Sequence, residues 1–283
     1  LNRICQDVAA GRGVVVVDPK GDLIQDVLAR IPAERAADVV VLDPLDKDRP
    51  VGLNPLAGDA GLAADSILSI FHSLFDLGPR TQDVLHASLL TLGRRRDANI
   101  CLLPLLLTNP GFRRSLTSGI NDPIALGPFW AWYEGLSEAE RGQVIGPVMN
   151  KLRAFLLRPA MRAVLGQGQP RFDISQVFTE RKIFFVSLAK GELGSESAAL
   201  LGALVVSQLW RATQERVKIA PERRHVVPVY LDEFQNVLHL PTDLGEVLEQ
   251  ARGFGLALHL AHQHLAQLSP RINAVWEQDG TTV

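Results

Sequence analysis

Two adjacent acids at the end of an apolar run carry the sharpest chemical signal in this sequence. Residues 226–236 read VVPVYLDEFQN, so an apolar strand delivers Asp232 and Glu233 side by side at its downstream end. Asp232 there suits Mg2+, held directly or through water, because that ion takes one or two hard carboxylates and fills its other positions with water and phosphate oxygens. Glu233 suits the polarisation of a water that attacks a phosphoryl group. The ordinary alternative is a solvated strand end without a ligand, since an apolar strand followed by an acid is common.

Other strand ends offer further candidates. Residues 11–23, GRGVVVVDPKGDL, place Asp18 and Lys20 just past an apolar run, where Pro19 stops the strand and Gly21 turns the chain. The plain reading is a strand-to-helix turn with Asp22 as the helix cap. Residues 255–268, GLALHLAHQHLAQL, end a strand near Gln263, whose amide can sense a phosphate by hydrogen bonding. His259, His262 and His264 lack the carboxylate or Cys spacing of a metal site, and that reading is rejected. Arg252 is a surface residue on the plain reading, with Gly253 just past the helix end. Residues 191–195, GELGS, open a helix that could receive an anion or simply turn the chain. Arg94, Arg95 and Arg96 end a helix, favourably placed against its C-terminus or against a DNA phosphate. No G-x-x-x-x-G-K-[ST] occurs anywhere.

These residues need a scaffold, and the hydrophobic pattern supplies one. Apolar runs at 14–17, 39–42, 183–188, 226–231 and 256–261 read as strands buried on both faces, as in parallel sheets. Helical patterns at 22–31, 195–216 and 243–253 fall between them, which predicts α/β architecture with right-handed crossovers. Ligands in open α/β sheets bind beyond the carboxyl ends of the strands, where the candidate residues lie. Residues 60–165 break the rhythm, with helices expected at 63–75, 82–94 and 138–157 and an apolar stretch at 102–107. Gly-Pro pairs, Gly146-Pro147 among them, punctuate the connections. The expected domains are 1–58 and 169–283, two parts of one α/β domain, around an all-α insertion at 59–168.

Composition sets outer bounds. Of 283 residues, 47% are hydrophobic and 21% charged, which excludes a disordered chain. With 29 Lys plus Arg against 31 Asp plus Glu, the net charge is −2, so any DNA contact must come from a local patch. Cys5 and Cys101 form no metal-type pair or disulfide framework, which fits a reducing compartment. No apolar stretch is long enough for a membrane span.

The motifs together resemble the nucleotide-binding domain of type IV secretion coupling proteins, the TraG/TraD-type conjugative DNA-transfer ATPases of the wider FtsK/HerA group. The resemblance rests on GRGVVVVDPKGDL, VVVLDP, GLNPL, PVMNKLRAFLLRPAMRAVLGQ, FFVSLAKGELGSESAALLGALVVSQL, VPVYLDEFQN and ARGFGLALHLAHQHLAQL, which cover most of residues 1–268. It implies a RecA/FtsK-like α/β fold, a mostly parallel sheet flanked by helices, with an all-α insertion that faces the cytosol and is linked to substrate or relaxosome recognition. It implies ATP and Mg2+ as ligands. Asp232 then falls on the Mg2+-linked acid of a Walker B motif, and Glu233 on the water-activating acid. Gln263 falls on the phosphate-sensing glutamine, and Arg252 on an arginine that reaches a neighbouring subunit's nucleotide. Asp18 and Lys20 fall on the family's second-strand motif, where structural or inter-motif roles are expected, and with Gln263 they are the expected cofactor-binding residues. The family's phosphate-binding loop precedes the helix that leads to DPKGD, so Leu1–Ala10 is expected to be that helix's tail in a piece of a longer chain. The implied parent is a hexameric, ATP-driven translocase that delivers single-stranded DNA with its relaxase to a type IV secretion channel. It sits at the cytoplasmic face of the bacterial inner membrane, with the anchor outside these residues. The rival expectations are a chromosomal or phage FtsK/HerA-type translocase, and a non-hydrolysing interaction module of the same fold.

Overall fold

The structure, a computed structural model, describes residues 1–234 and 244–262. Its elements begin with α1 (Asn2–Ala9), β1 (Val14–Asp18), α2 (Asp22–Leu28) and β2 (Val39–Leu42). Seven helices follow: α3 (Ala60–Phe75), α4 (Pro79–Gly93), α5 (Leu103–Thr108), α6 (Pro110–Thr117), α7 (Leu126–Gly135), α8 (Glu138–Leu156) and α9 (Pro159–Leu165). The chain then forms α10 (Gln176–Thr179), β3 (Ile183–Ser187), α11 (Lys190–Leu193), α12 (Ser195–Gln214), β4 (Val227–Leu231), α13 (Leu244–Gly253) and β5 (Leu256–Leu260). These elements divide into two compact units, one of Leu1–Val51 with Phe172–Val283 and the other of Gly52–Arg171.

All five strands of the described residues lie in the first unit and form one parallel sheet, ordered β2-β3-β1-β4-β5. Val14, Val15, Val16 and Val17 of the central strand are fully buried. An unbroken valine run suits such a strand because both of its faces lie under helices. One face is covered by Ile4 and Val8 of α1 and by Ile24 and Val27 of α2, packed on Val14, Val16, Ile183 and Phe185. Toward β4 and β5 the other face meets α12, where Val206, Leu209 and Trp210 lie against Val229, Leu231, Leu256 and Leu258. Each buried Val or Leu here contributes about 1.5–3 kcal/mol.

The amino-terminal rim of this sheet is tied by arginines. Arg216 is 4% exposed, donates to the carbonyls of His225 (2.7 Å) and Gly255 (3.2 Å), and lies 4.6 Å from the ring centre of Phe178. Burial lowers its pKa below the ordinary arginine value. Arg35 donates to the carbonyls of Val8, Arg12 and Arg181, joining the turn before β1 to the turn before β3.

The regular elements of the second unit, among the described residues, are all helices. Its longest helix, α8, starts with a capping box in which Ser137 and Glu140 bond reciprocally. It then runs unbroken through Pro147, so Gly146-Pro147 is not the connection that the sequence pattern suggested. An interior proline costs a helix about 3 kcal/mol. Burial of Val144, Val148, Met149, Leu152, Phe155 and Leu156 on one side of α8 offsets it. Nearby, the guanidinium groups of Arg113 and Arg141 lie 5.0 and 5.4 Å from the ring centre of Tyr133, whose hydroxyl donates to the Leu107 carbonyl at 2.7 Å.

Candidate functional site

Parallel strands bring their carboxyl ends to one rim, and the loops leaving that rim are joined by backbone bonds. The amide of Asp232 donates to the Val17 carbonyl at 3.0 Å, and that of Leu188 to the Asp18 carbonyl at 3.0 Å. Ala261 donates to Leu231 at 3.0 Å, and Phe234 to Ala261 at 3.2 Å. Because Val17 pairs with Leu231, the next residues, Asp18 and Asp232, leave the sheet side by side.

Asp18 is only 1% exposed, and both of its oxygens turn to its own loop. Oδ1 accepts from the Lys20 amide at 2.9 Å, and Oδ2 from the Ile24 amide at 3.3 Å. Asp18 therefore makes the cap that the sequence suggested for Asp22, which is instead the first residue of α2. Gly21 makes this possible with φ 92°, and a Cβ there would stand 3.0 Å from Ser187 Oγ on the neighbouring strand.

Asp232 and Glu233 occupy a tight turn. Glu233 has φ 43°, left-handed backbone that a non-glycine residue adopts at a cost of about 1 kcal/mol. Its amide donates to Asp232 Oδ1 at 3.1 Å. Phe234, fully buried, anchors the turn, with its ring edge-on to His262 at 5.9 Å. Burial raises the Asp232 pKa above the ordinary carboxylate value. The charges of Asp18 and Glu233 push it the same way, against the Glu233 amide and Lys20. Lys20 reaches across from the β1 loop, with Nζ 3.4 Å from Glu233 Oε1.

Burial first, and the neighbouring acids second, disfavour the charged form of Asp232, a setting that a bound cation relieves. Among the described residues no three His, Cys, Asp or Glu side chains cluster as a complete metal site. Asp232 and Glu233 are hard carboxylates of the kind that could hold Mg2+ if the ion drew most of its oxygens from phosphate and water.

The remaining sequence candidates fall elsewhere. Gln263 lies outside the described residues. Arg252 is exposed in the last turn of α13, on the helix end just ahead of β5. Its carbonyl accepts from Gly255, and the Gly255 carbonyl accepts from Val227 at the start of β4. That is the amino-terminal rim, about 16 Å along the strand from Asp232 at 3.3 Å per residue. The structure therefore joins Asp18, Lys20, Asp232 and Glu233, and leaves Arg252 apart from them within one chain.

Two features were not singled out from sequence. Lys20 pairs with Glu233, which no local spacing encodes. Asp7 of α1, 6% exposed, accepts from Tyr230 Oη and pairs with Arg12, while the His259 ring stacks on Tyr230 at 4.4 Å and 13°. Burial lowers the His259 pKa and, with the Asp7 bond, raises that of Tyr230.

No family model and no curated protein sequence matches the chain. Solved structures do. The bacterial conjugative coupling protein TrwBdeltaN70, in a trigonal form with sulphate, aligns over 96% of this chain and 61% of its own, with 16% identity and a TM-score of 0.56. The chain has the fold of a conjugative coupling protein. TrwB in complex with ADP and Mg2+ aligns over 92% of this chain and 59% of its own, with 16% identity and a TM-score of 0.53. VirB4 of Thermoanaerobacter pseudethanolicus shares the fold over 95% of this chain and 67% of its own, with 13% identity and a TM-score of 0.54. The chain thus spans about three fifths of the length of these TrwB structures. Among the described residues of this coupling-protein fold, no helix is long and apolar enough to cross a membrane.

Proposed function

We propose that this chain is the motor part of an ATP-driven coupling protein that delivers single-stranded DNA, with its relaxase, to a type IV secretion channel. The observation that carries the reading is the Asp232–Glu233 turn, set beside Asp18 and Lys20 at the carboxyl rim of a parallel sheet with the coupling-protein fold. TrwB, with the same fold, has been solved with ADP and Mg2+, which supports a nucleotide and Mg2+ as the ligands.

In this reading Asp232 holds Mg2+, which when bound neutralises charge on the β- and γ-phosphate oxygens. Glu233 orients the attacking water and accepts its proton. Gln263, outside the described residues, is assigned the sensing of the γ-phosphate. Asp18 shapes the loop that presents Lys20 to the same rim, beside the nucleotide. Arg252, at the opposite rim, serves a neighbouring subunit's nucleotide in a hexameric ring, since a guanidinium keeps its charge and can fork onto phosphate oxygens. The helical unit of Gly52–Arg171 takes part in recognising the substrate or relaxosome from the cytosol, and the assembly works at the cytoplasmic face of the inner membrane.

The test is ATP turnover by the full-length protein with and without single-stranded DNA. A motor is expected to speed up several-fold on saturating single strands, through a salt-sensitive interaction. Turnover indifferent to DNA at every salt concentration would remove translocation from the reading.

A further inference from the structure

We propose that Lys20 is a positioning residue for Glu233: its ammonium fixes the glutamate carboxylate at the rim between β1 and β4. The inference rests on the reading of Glu233 as the water-polarising acid.

Both partners are anchored through their backbones. The amide of Lys20 is held at 2.9 Å by Asp18 Oδ1, and Asp18 is itself buried at the strand end. The amide of Glu233 is held at 3.1 Å by Asp232 Oδ1, and that of Asp232 at 3.0 Å by the Val17 carbonyl. The buried Phe234 fixes the other side of the turn. The two α-carbons are thus tied into one hydrogen-bonded frame, while both side chains are long and have several rotatable bonds. The 3.4 Å contact between Lys20 Nζ and Glu233 Oε1 selects among their rotamers.

The exposure of the pair is asymmetric, and this argues against a bland surface ion pair. The Glu233 side chain is only 12% exposed, against 62% for Lys20. The carboxylate is lodged at the rim and the ammonium stands over it from solvent. Left-handed backbone at Glu233 (φ 43°) also turns its side chain out of the strand direction. The αL turn and the lysine together define where the carboxylate points. A base held in one orientation keeps a near-attack geometry that a freely rotating one loses. Lys20 touches the acid and not the reacting atoms, so its removal should act on kcat.

Two measurements test this. The first needs no nucleotide: the rate of amine acylation at each lysine of the 283-residue chain, read by mass spectrometry. An ammonium bonded to a carboxylate is acylated slowly, so Glu233→Gln is expected to raise labelling at Lys20 about two- to five-fold relative to the exposed Lys47 and Lys218. Unchanged labelling at Lys20 would overturn the pairing. The second is ATP turnover in the full-length protein. Lys20→Met is expected to lower kcat about tenfold with KM within twofold, Lys20→Arg to restore most of it, and Lys20→Met to add nothing to Glu233→Gln. A raised KM with kcat intact would make Lys20 a phosphate ligand and overturn the proposal. A Glu233→Gln variant as active as the wild type would instead remove the role assigned to Glu233, while the labelling result would still decide the pair.

Discussion

Under the proposed function Glu233 carries two demands that conflict, a backbone angle suited to glycine and a carboxylate needed at the rim. Its φ of 43° is compatible with glycine at no steric cost. Glu233→Gly is therefore expected to stabilise the fold by about 1 kcal/mol while abolishing catalysis, a trade-off seen where function holds a residue in strain. Urea denaturation of the two proteins measures it, and a less stable glycine variant would contradict the strain. Asp232 makes a second case, with a pH signature. Its folded pKa lies above the ordinary 3.8, chiefly because burial disfavours the charged form. The penalty is absent while the group is protonated in both states, below about pH 4, and grows as pH rises through the folded value. Asp232→Asn should therefore raise the melting temperature at pH 7 by about 2 °C, with the gain shrinking to nothing near pH 3. A gain that persists at pH 3 would trace the effect to something other than charge.

At the scale of elements, the helical unit depends on a buried cation. Arg113 is fully buried, bonds Glu134 at 2.6 Å and the carbonyls of Leu106 and Leu107 at 3.1 and 3.2 Å, and packs on Tyr133. Arg113→Ala removes all of these donors at once and is expected to cost about 3 kcal/mol. Thermal unfolding followed by helical circular dichroism checks it, and a shift under 1 °C would contradict it. The five strands were legible in the sequence because burial on both faces demands unbroken apolar runs such as VVVV and FFV. The short helices α6, α7 and α9 were not, since little periodicity accumulates in seven to ten residues. The acidic turn was legible because the strand and its acids are contiguous. The Lys20–Glu233 pair and the Asp7–Tyr230 bond were hidden, because each joins residues that only the β1–β4 register or the packing of α1 brings together. Arg252 shows the same limit from the other side. Its distance in sequence from β5 is short, but a parallel strand begins at the rim opposite the one where the acids emerge.

For the whole molecule, the parallel order β2-β3-β1-β4-β5 gathers the acids from β1 and β4 at one rim. Arg252 lies at the other rim, an arrangement suited to subunits that share nucleotide sites around a ring. The central claim is that the carboxyl rim is a site of ATP hydrolysis with Glu233 as its base. The most direct measurement is Mg2+-dependent ATP turnover by the full-length protein and its Glu233→Gln variant, with nucleotide affinity measured in parallel. On the proposed reading, hydrolysis requires a G-x-x-x-x-G-K-[ST] to cradle the β- and γ-phosphates, and residues 1–283 contain none. The account predicts a kcat at least about 100-fold lower in Glu233→Gln, with Mg·ATP bound as tightly as in the wild type. Equal turnover in the two proteins would contradict it.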